Sequence, residues 1–161
     1  MKSRSIRPLY VVILLELFLL WLLFGNWSGQ TSGATARKFG CMSNVKQMLL
    51  GVLSYSDDHD DHMPITVGWM DTLKPIVASD GVFRDPTETK LMGYGYAYHD
   101  KASWLKTADI ENPSGFVVIF DSTLPGRSAH GDLTSLPKGG RHGSTNIEGF
   151  ANGEAEAVEA H

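Results

Sequence analysis

Residues 37–56, RKFGCMSNVKQMLLGVLSYS, set the fold that the rest of the chain must complete. Val45, Met48, Leu49, Val52 and Leu53 fall at i, i+3, i+4, i+7 and i+8, so a helix from Arg37 or Ser43 to Ser56 carries all five on one face. That stripe is the expected spine of a core. Gly51 within it costs on the order of 1 kcal/mol relative to alanine, which either tight packing or tolerance must explain.

Toward the N-terminus the composition changes twice. Residues 25–40 are rich in Gly, Ser, Thr, Asn and Gln, which suits a hinge or a weak helix. Before them, Leu9 to Phe24 reads LYVVILLELFLLWLLF, with Glu16 its one charge and Lys2, Arg4 and Arg7 ahead of it. At 1.5 Å per residue a helix of this run covers about 24 Å, close to a hydrocarbon core of about 30 Å. Its apolar side chains each favour insertion by a few tenths of a kcal/mol and together outweigh a mid-helix acid costing on the order of 3 kcal/mol. Residues 1–24 are therefore expected to be a basic flank and a transmembrane or signal-anchor helix, basic end in the cytoplasm. A cleaved secretory signal, with Ala34-Thr35-Ala36 as its site, is the second reading, and a buried soluble helix the third.

The chain beyond Phe24 is long enough for one modest head domain, expected over residues 41–161. It holds 11 basic and 17 acidic residues, a net charge of −6 that argues against nucleic acid as a partner. Cys41 is the sole cysteine, so no intrachain disulfide and no thiolate zinc site is expected. The run Asp57-Asp58-His59-Asp60-Asp61-His62 has donors for a hard or borderline cation. Its spacing fits no EF-hand loop and no H-E-x-x-H helix, so it reads as a solvated helix end.

Downstream, Trp69, Leu73, Ile76 and Val77 suggest a short helix limited by Pro75. Arg84-Asp85-Pro86-Thr87 should be extended and turn-forming, because a residue before proline avoids the helical region. Tyr94, Tyr96 and Tyr98 alternate with small residues on one face of a strand. Phe116-Val117-Val118-Ile119-Phe120 is apolar on both faces and predicts a central strand that ends at Asp121 and Ser122. Residues 124–141 read as a long surface loop. Asn152-Gly153, between two short strands, predicts a two-residue type I′ hairpin, with Glu154, Glu156 and Glu159 discouraging further strand pairing. The fold class expected is α+β: an N-terminal transmembrane helix and an amphipathic helix packed on a small antiparallel sheet.

Taken in order, Cys41-Met42-Ser43-Asn44-Val45-Lys46-Gln47, Tyr55-Ser56-Asp57-Asp58, Val82-Phe83 with Pro86, Tyr94-Gly95-Tyr96, Asn112-Pro113-Ser114 and Phe120-Asp121-Ser122 resemble prepilin-like proteins of the type II secretion pseudopilin G kind. His142, nine residues and Asn152-Gly153 are similar to the H-X9-DG motif of the bacterial prepilin-type processing-associated domain, with Asn for Asp. The resemblance implies a pilin-like fold and a structural role. It also marks departures. The family's Gly-Phe-Thr-Leu-x-Glu cleavage signal is replaced by Pro8-Leu9-Tyr10-Val11-Val12 before Glu16, and Asp85 stands where the family often has a second cysteine.

Together these readings predict a membrane-anchored pilin-like structural protein of a type II secretion pseudopilus or related envelope assembly, not an enzyme. No nucleophile–base motif, Walker loop or dinucleotide fingerprint occurs. The expected location is the bacterial inner membrane, single-pass, with the head periplasmic. Glu16 would serve as a polar pairing point worth about 1 to 2 kcal/mol between helices, with self-association or other pilin-like subunits as partners. Cys41, Asp121, His142, Asn146, Asn152 and Gly153 are the expected structural residues, with His142 as a latch bonding the hairpin or Asn146 and, as the sharper alternative given Asp121 at a strand end, a metal or catalytic histidine. No cofactor or metal is assigned. The alternative is a non-assembling, signal-anchored periplasmic binding module, in one variant metal-binding.

Overall fold

In the computed structural model the described residues are 13–14, 16–18, 20, 29–88 and 93–160. They belong to two compact units, Met1–Ala36 and Arg37–His161. Most of the Leu9 to Phe24 run lies outside the described residues, as do residues 25–28 of the expected hinge. Among the described residues no helix is long and apolar enough to cross a membrane, which overturns the expected transmembrane helix. The long helix that is present, α1 (Gly29–Asp57), carries Arg37, Lys38, Lys46 and Asp57 along with its Ser, Thr and Gly, and is too polar to do so. It begins well before Arg37, so the Gly/Ser-rich stretch from Gly29 onward is helical.

Five strands form the sheet: β1 (Tyr96–His99), β2 (Val117–Asp121), β3 (His130–Gly131), β4 (Thr145–Phe150) and β5 (Ala155–Glu159), in the spatial order β3-β1-β2-β4-β5. β2 is the middle strand and is buried throughout, as its two-sided apolar pattern requires. The sheet is mixed, not antiparallel as expected, because β3 pairs parallel to β1 through Tyr98 with His130 and His99 with Gly131. That strand comes from the 124–141 loop, which is therefore partly structured.

The α1 stripe packs as its periodicity demands, with Cys41, Val45, Met48, Leu49 and Val52 fully buried in the main core beside Ile119 and Ile147. The helix and sheet approach closely at Gly149, where an added Cβ would come within 2.5 Å of Val45 Cγ1 and 2.8 Å of Leu49 Cδ1. Gly51 meets the other partner. A Cβ there would lie 3.1 Å from Val77 Cγ1, just beyond the short helix α2 (Trp69–Leu73). Trp69 fills the space between Phe83 and Tyr98, and its indole N–H donates to the Ala129 carbonyl at 2.9 Å. Each such buried large side chain contributes about 1.5 to 3 kcal/mol by leaving water.

The final hairpin differs from the two-residue turn expected. Gly153 N–H donates to Phe150 O at 2.9 Å and Phe150 N–H to Glu154 O at 2.8 Å, leaving a three-residue loop. Only Gly153 takes a positive φ, +84°, so the loop is a type I turn closed by a left-handed glycine. Asn152 instead uses its side chain, accepting from Glu154 N–H at 3.0 Å and donating to Glu154 Oε2 at 2.8 Å.

Candidate functional site: a buried polar node

Four separate pieces of chain bring charged or polar side chains to one place inside the head. Cys41 comes from the buried face of α1, one turn before Val45. Asp85 follows a 3-10 helix (Asp80–Phe83) and precedes Pro86, which holds it extended. Asp121 is the last residue of β2, and Arg141 and His142 lie in the turn that enters β4. Gly139, Gly140 and Gly143 around that pair all have positive φ, the conformation that glycine adopts without penalty and that lets two adjacent side chains turn inward.

Asp85 is the hub. Its Oδ1 accepts from the Cys41 thiol at 2.9 Å, from Thr87 N–H at 2.7 Å and from Thr87 Oγ1–H at 2.6 Å. Glycine at 95 permits this approach, since a Cβ there would sit 2.5 Å from Asp85 Cβ. The other oxygen, Oδ2, lies 3.4 Å from Arg141 Nε and 3.8 Å from His142 Nε2. His142 Nε2 is also 3.2 Å from Asp121 Oδ2, which accepts from the Ile147 backbone N–H at 2.7 Å. Arg141 pairs with Glu88 at 3.0 Å and donates to the Ser122 carbonyl. Its backbone N–H donates to Asn146 Oδ1 at 2.9 Å, and Asn146 Nδ2–H to the Pro137 carbonyl at 3.1 Å.

The side chains of Asp85 and Asp121 are fully buried and that of His142 is 2 % exposed. Asp85 Oδ2, Asp121 Oδ1, Arg141 Nε and His142 Nε2 nevertheless make no hydrogen bond, although each is shielded from water. Burial pushes the Asp121 carboxyl above the usual carboxylate range, opposed by the His142 ring and the Ile147 N–H. Burial, then the adjoining Asp85 carboxylate, drives the Cys41 thiol far above its ordinary value, so it stays a protonated donor and a poor nucleophile.

Nothing matches the chain among family models, curated proteins or solved structures. The resemblance to pseudopilins and to the processing-associated domain therefore rests on the quoted residues alone. What the residues themselves offer is the geometry above.

The expected structural residues divide into two groups. Cys41, Asp121 and His142 converge on the node, and Asn146 braces the loop beside it. Asn152 and Gly153 sit at the far end of β4 and do not meet His142. His142 meets the hairpin through its backbone N–H, which donates to the Thr145 carbonyl at 2.9 Å, while its ring faces Asp121 and Asp85. Glu16 is exposed and belongs to the first compact unit. The acidic run ends α1 and enters a turn in which Asp60 and Asp61 take positive φ and residues 57–61 are exposed, so its carboxylates face solvent. Asp85, Arg141 and Glu88 are the site residues that sequence reasoning missed. An aspartate before proline and an Arg-His pair flanked by glycines were the signals available.

Proposed function

We propose that this chain is a pilin-like structural subunit, which acts by associating through its long helix and carries out no chemistry of its own. The observation that carries the reading is the pairing of Cys41 with Asp85, 44 residues apart and 2.9 Å from sulfur to oxygen. Asp85 occupies the position at which the resembling proteins often have a second cysteine, so a contact that would be a bridge there is a hydrogen bond here. Asp121 and His142, which belong to two further motifs of the resemblance, lie beside that contact. The face of α1 opposite the core stripe adds support. Phe39 and Leu50 are 61 % and 55 % exposed there and, eleven residues apart, share one side of the helix.

The test mixes tagged and untagged full-length copies before purification through the tag. Untagged chain should co-purify, and Phe39→Glu with Leu50→Glu should reduce that recovery while leaving the unfolding midpoint unchanged. Recovery of tagged chain alone, with no crosslinked dimer at any concentration, would remove the basis for the proposal.

A further inference from the structure

We propose that the node is a divalent-metal site of the zinc class, held by Cys41 Sγ, Asp85 Oδ2 and His142 Nε2, with Asp121 as the fourth ligand. Among the described residues these three side chains each offer a ligand atom within 4.8 Å of the other two. A tetrahedral zinc site with bonds of about 2.0 to 2.3 Å sets its ligand atoms about 3.3 to 3.8 Å apart. His142 Nε2 to Asp85 Oδ2 is already 3.8 Å, and Asp121 Oδ2 is 3.2 Å from the same nitrogen.

The second, independent observation is the unused bonding capacity. Asp85 Oδ2, Asp121 Oδ1 and His142 Nε2 are buried without a hydrogen bond, and His142 Nε2 lies 3.8 Å from Asp85 Oδ2 and 3.2 Å from Asp121 Oδ2. Groups of this kind are normally satisfied, because leaving one bare costs about 1 to 3 kcal/mol. One cation held between Asp85 Oδ2 and His142 Nε2 would satisfy both at once. The mixed S, N and O donors select a borderline cation over calcium or magnesium, which take oxygen ligands.

Charge agrees. On binding, the Cys41 thiol loses its proton to solvent as the metal–sulfur bond forms, so thiolate, Asp85 and Asp121 supply three negative charges. A divalent ion offsets two of them, and the Arg141 guanidinium, 3.4 Å from Asp85, is shared with Glu88. Arg141 and Glu88 also line a cavity of about 310 Å³ with Gly93, Thr123, Leu124 and Pro137. The lack of paired cysteines, which argued against a thiolate zinc site, does not bear on a set that uses one sulfur.

Titration of the full-length chain with Zn²⁺ and with Co²⁺ tests this. One ion should bind per chain, raise the melting temperature, and with Co²⁺ give the near-ultraviolet absorption of a cobalt–thiolate bond. Cys41→Ser should abolish that absorption, and Asp85→Asn should weaken Zn²⁺ binding at least tenfold, the loss that even outer-shell changes cause. Both variants are checked for folding by circular dichroism, and the melting shift of the unsubstituted chain stands apart from any variant. His59→Ala with His62→Ala, in the exposed acidic run, should leave binding intact. Binding that disappears in that control, that survives in both Cys41→Ser and Asp85→Asn, or that never shifts the melting temperature would overturn the assignment.

Discussion

The Cys41 thiol donates to Asp85 Oδ1 at 2.9 Å, joining the first buried turn of the core helix to a loop 44 residues away. The contact joins the two positions at which a covalent bridge can be tested. Asp85→Cys should form a disulfide with Cys41 under mild oxidation. The oxidised variant should show no titratable thiol, and its closed loop should offset the lost Thr87 contacts by up to about 4 kcal/mol before strain. Two free thiols persisting after oxidation would show that the contact does not have bridge geometry.

Cys41 should be silent to thiol reagents in the folded chain. It is wholly buried, and its ionisation is suppressed by burial first and by Asp85 next. In the unfolded chain the thiol ionises near its ordinary value of 9.0, so above that pH the folded state holds the extra proton. Stability is therefore fully present below about pH 9 and falls as pH rises beyond it. Denaturant midpoints from pH 7 to pH 10 should decline, and the decline should be shallower in Cys41→Ala.

Gly149→Ala tests the seating of the helix on the sheet. The new methyl would meet Val45 Cγ1 at 2.5 Å and Leu49 Cδ1 at 2.8 Å, with the Ile119 carbonyl 3.2 Å away. Overpacking of this kind costs about 1 to 3 kcal/mol, read as a lower urea midpoint with an unchanged slope. An unchanged midpoint would mean that the helix and β4 are less closely apposed.

Much of the core could be read from periodicity. The 45–53 stripe is recovered as the core helix face up to Val52, with Leu53 half-buried, and the 116–120 run as the middle strand, because both signals are local. Where a feature depended on distant partners, the sequence misled. His130-Gly131 has no strand signature, and its pairing with β1 made the sheet mixed. The Leu9 to Phe24 run suggested a membrane helix by composition alone, yet no described helix has the length and apolarity to cross one. Asn152-Gly153 matched a two-residue turn, but the paired strands left three residues to be spanned. The node itself was only half legible. Cys41, Asp121 and His142 stood out by motif, whereas Asp85 and Arg141 matter through contacts 44 and 19 residues away in sequence.

At the centre of this account is the buried node that ties the 85 loop and the 141–142 turn to the end of β2. A double-mutant cycle on Asp121→Asn and His142→Gln, followed by urea unfolding, tests it most directly. Each single change should destabilise the head, and the pair should cost less than the sum by about 1 kcal/mol or more, the mark of groups in one network. Strict additivity, within about 0.5 kcal/mol, would contradict it, because the two side chains would then be neighbours without being partners.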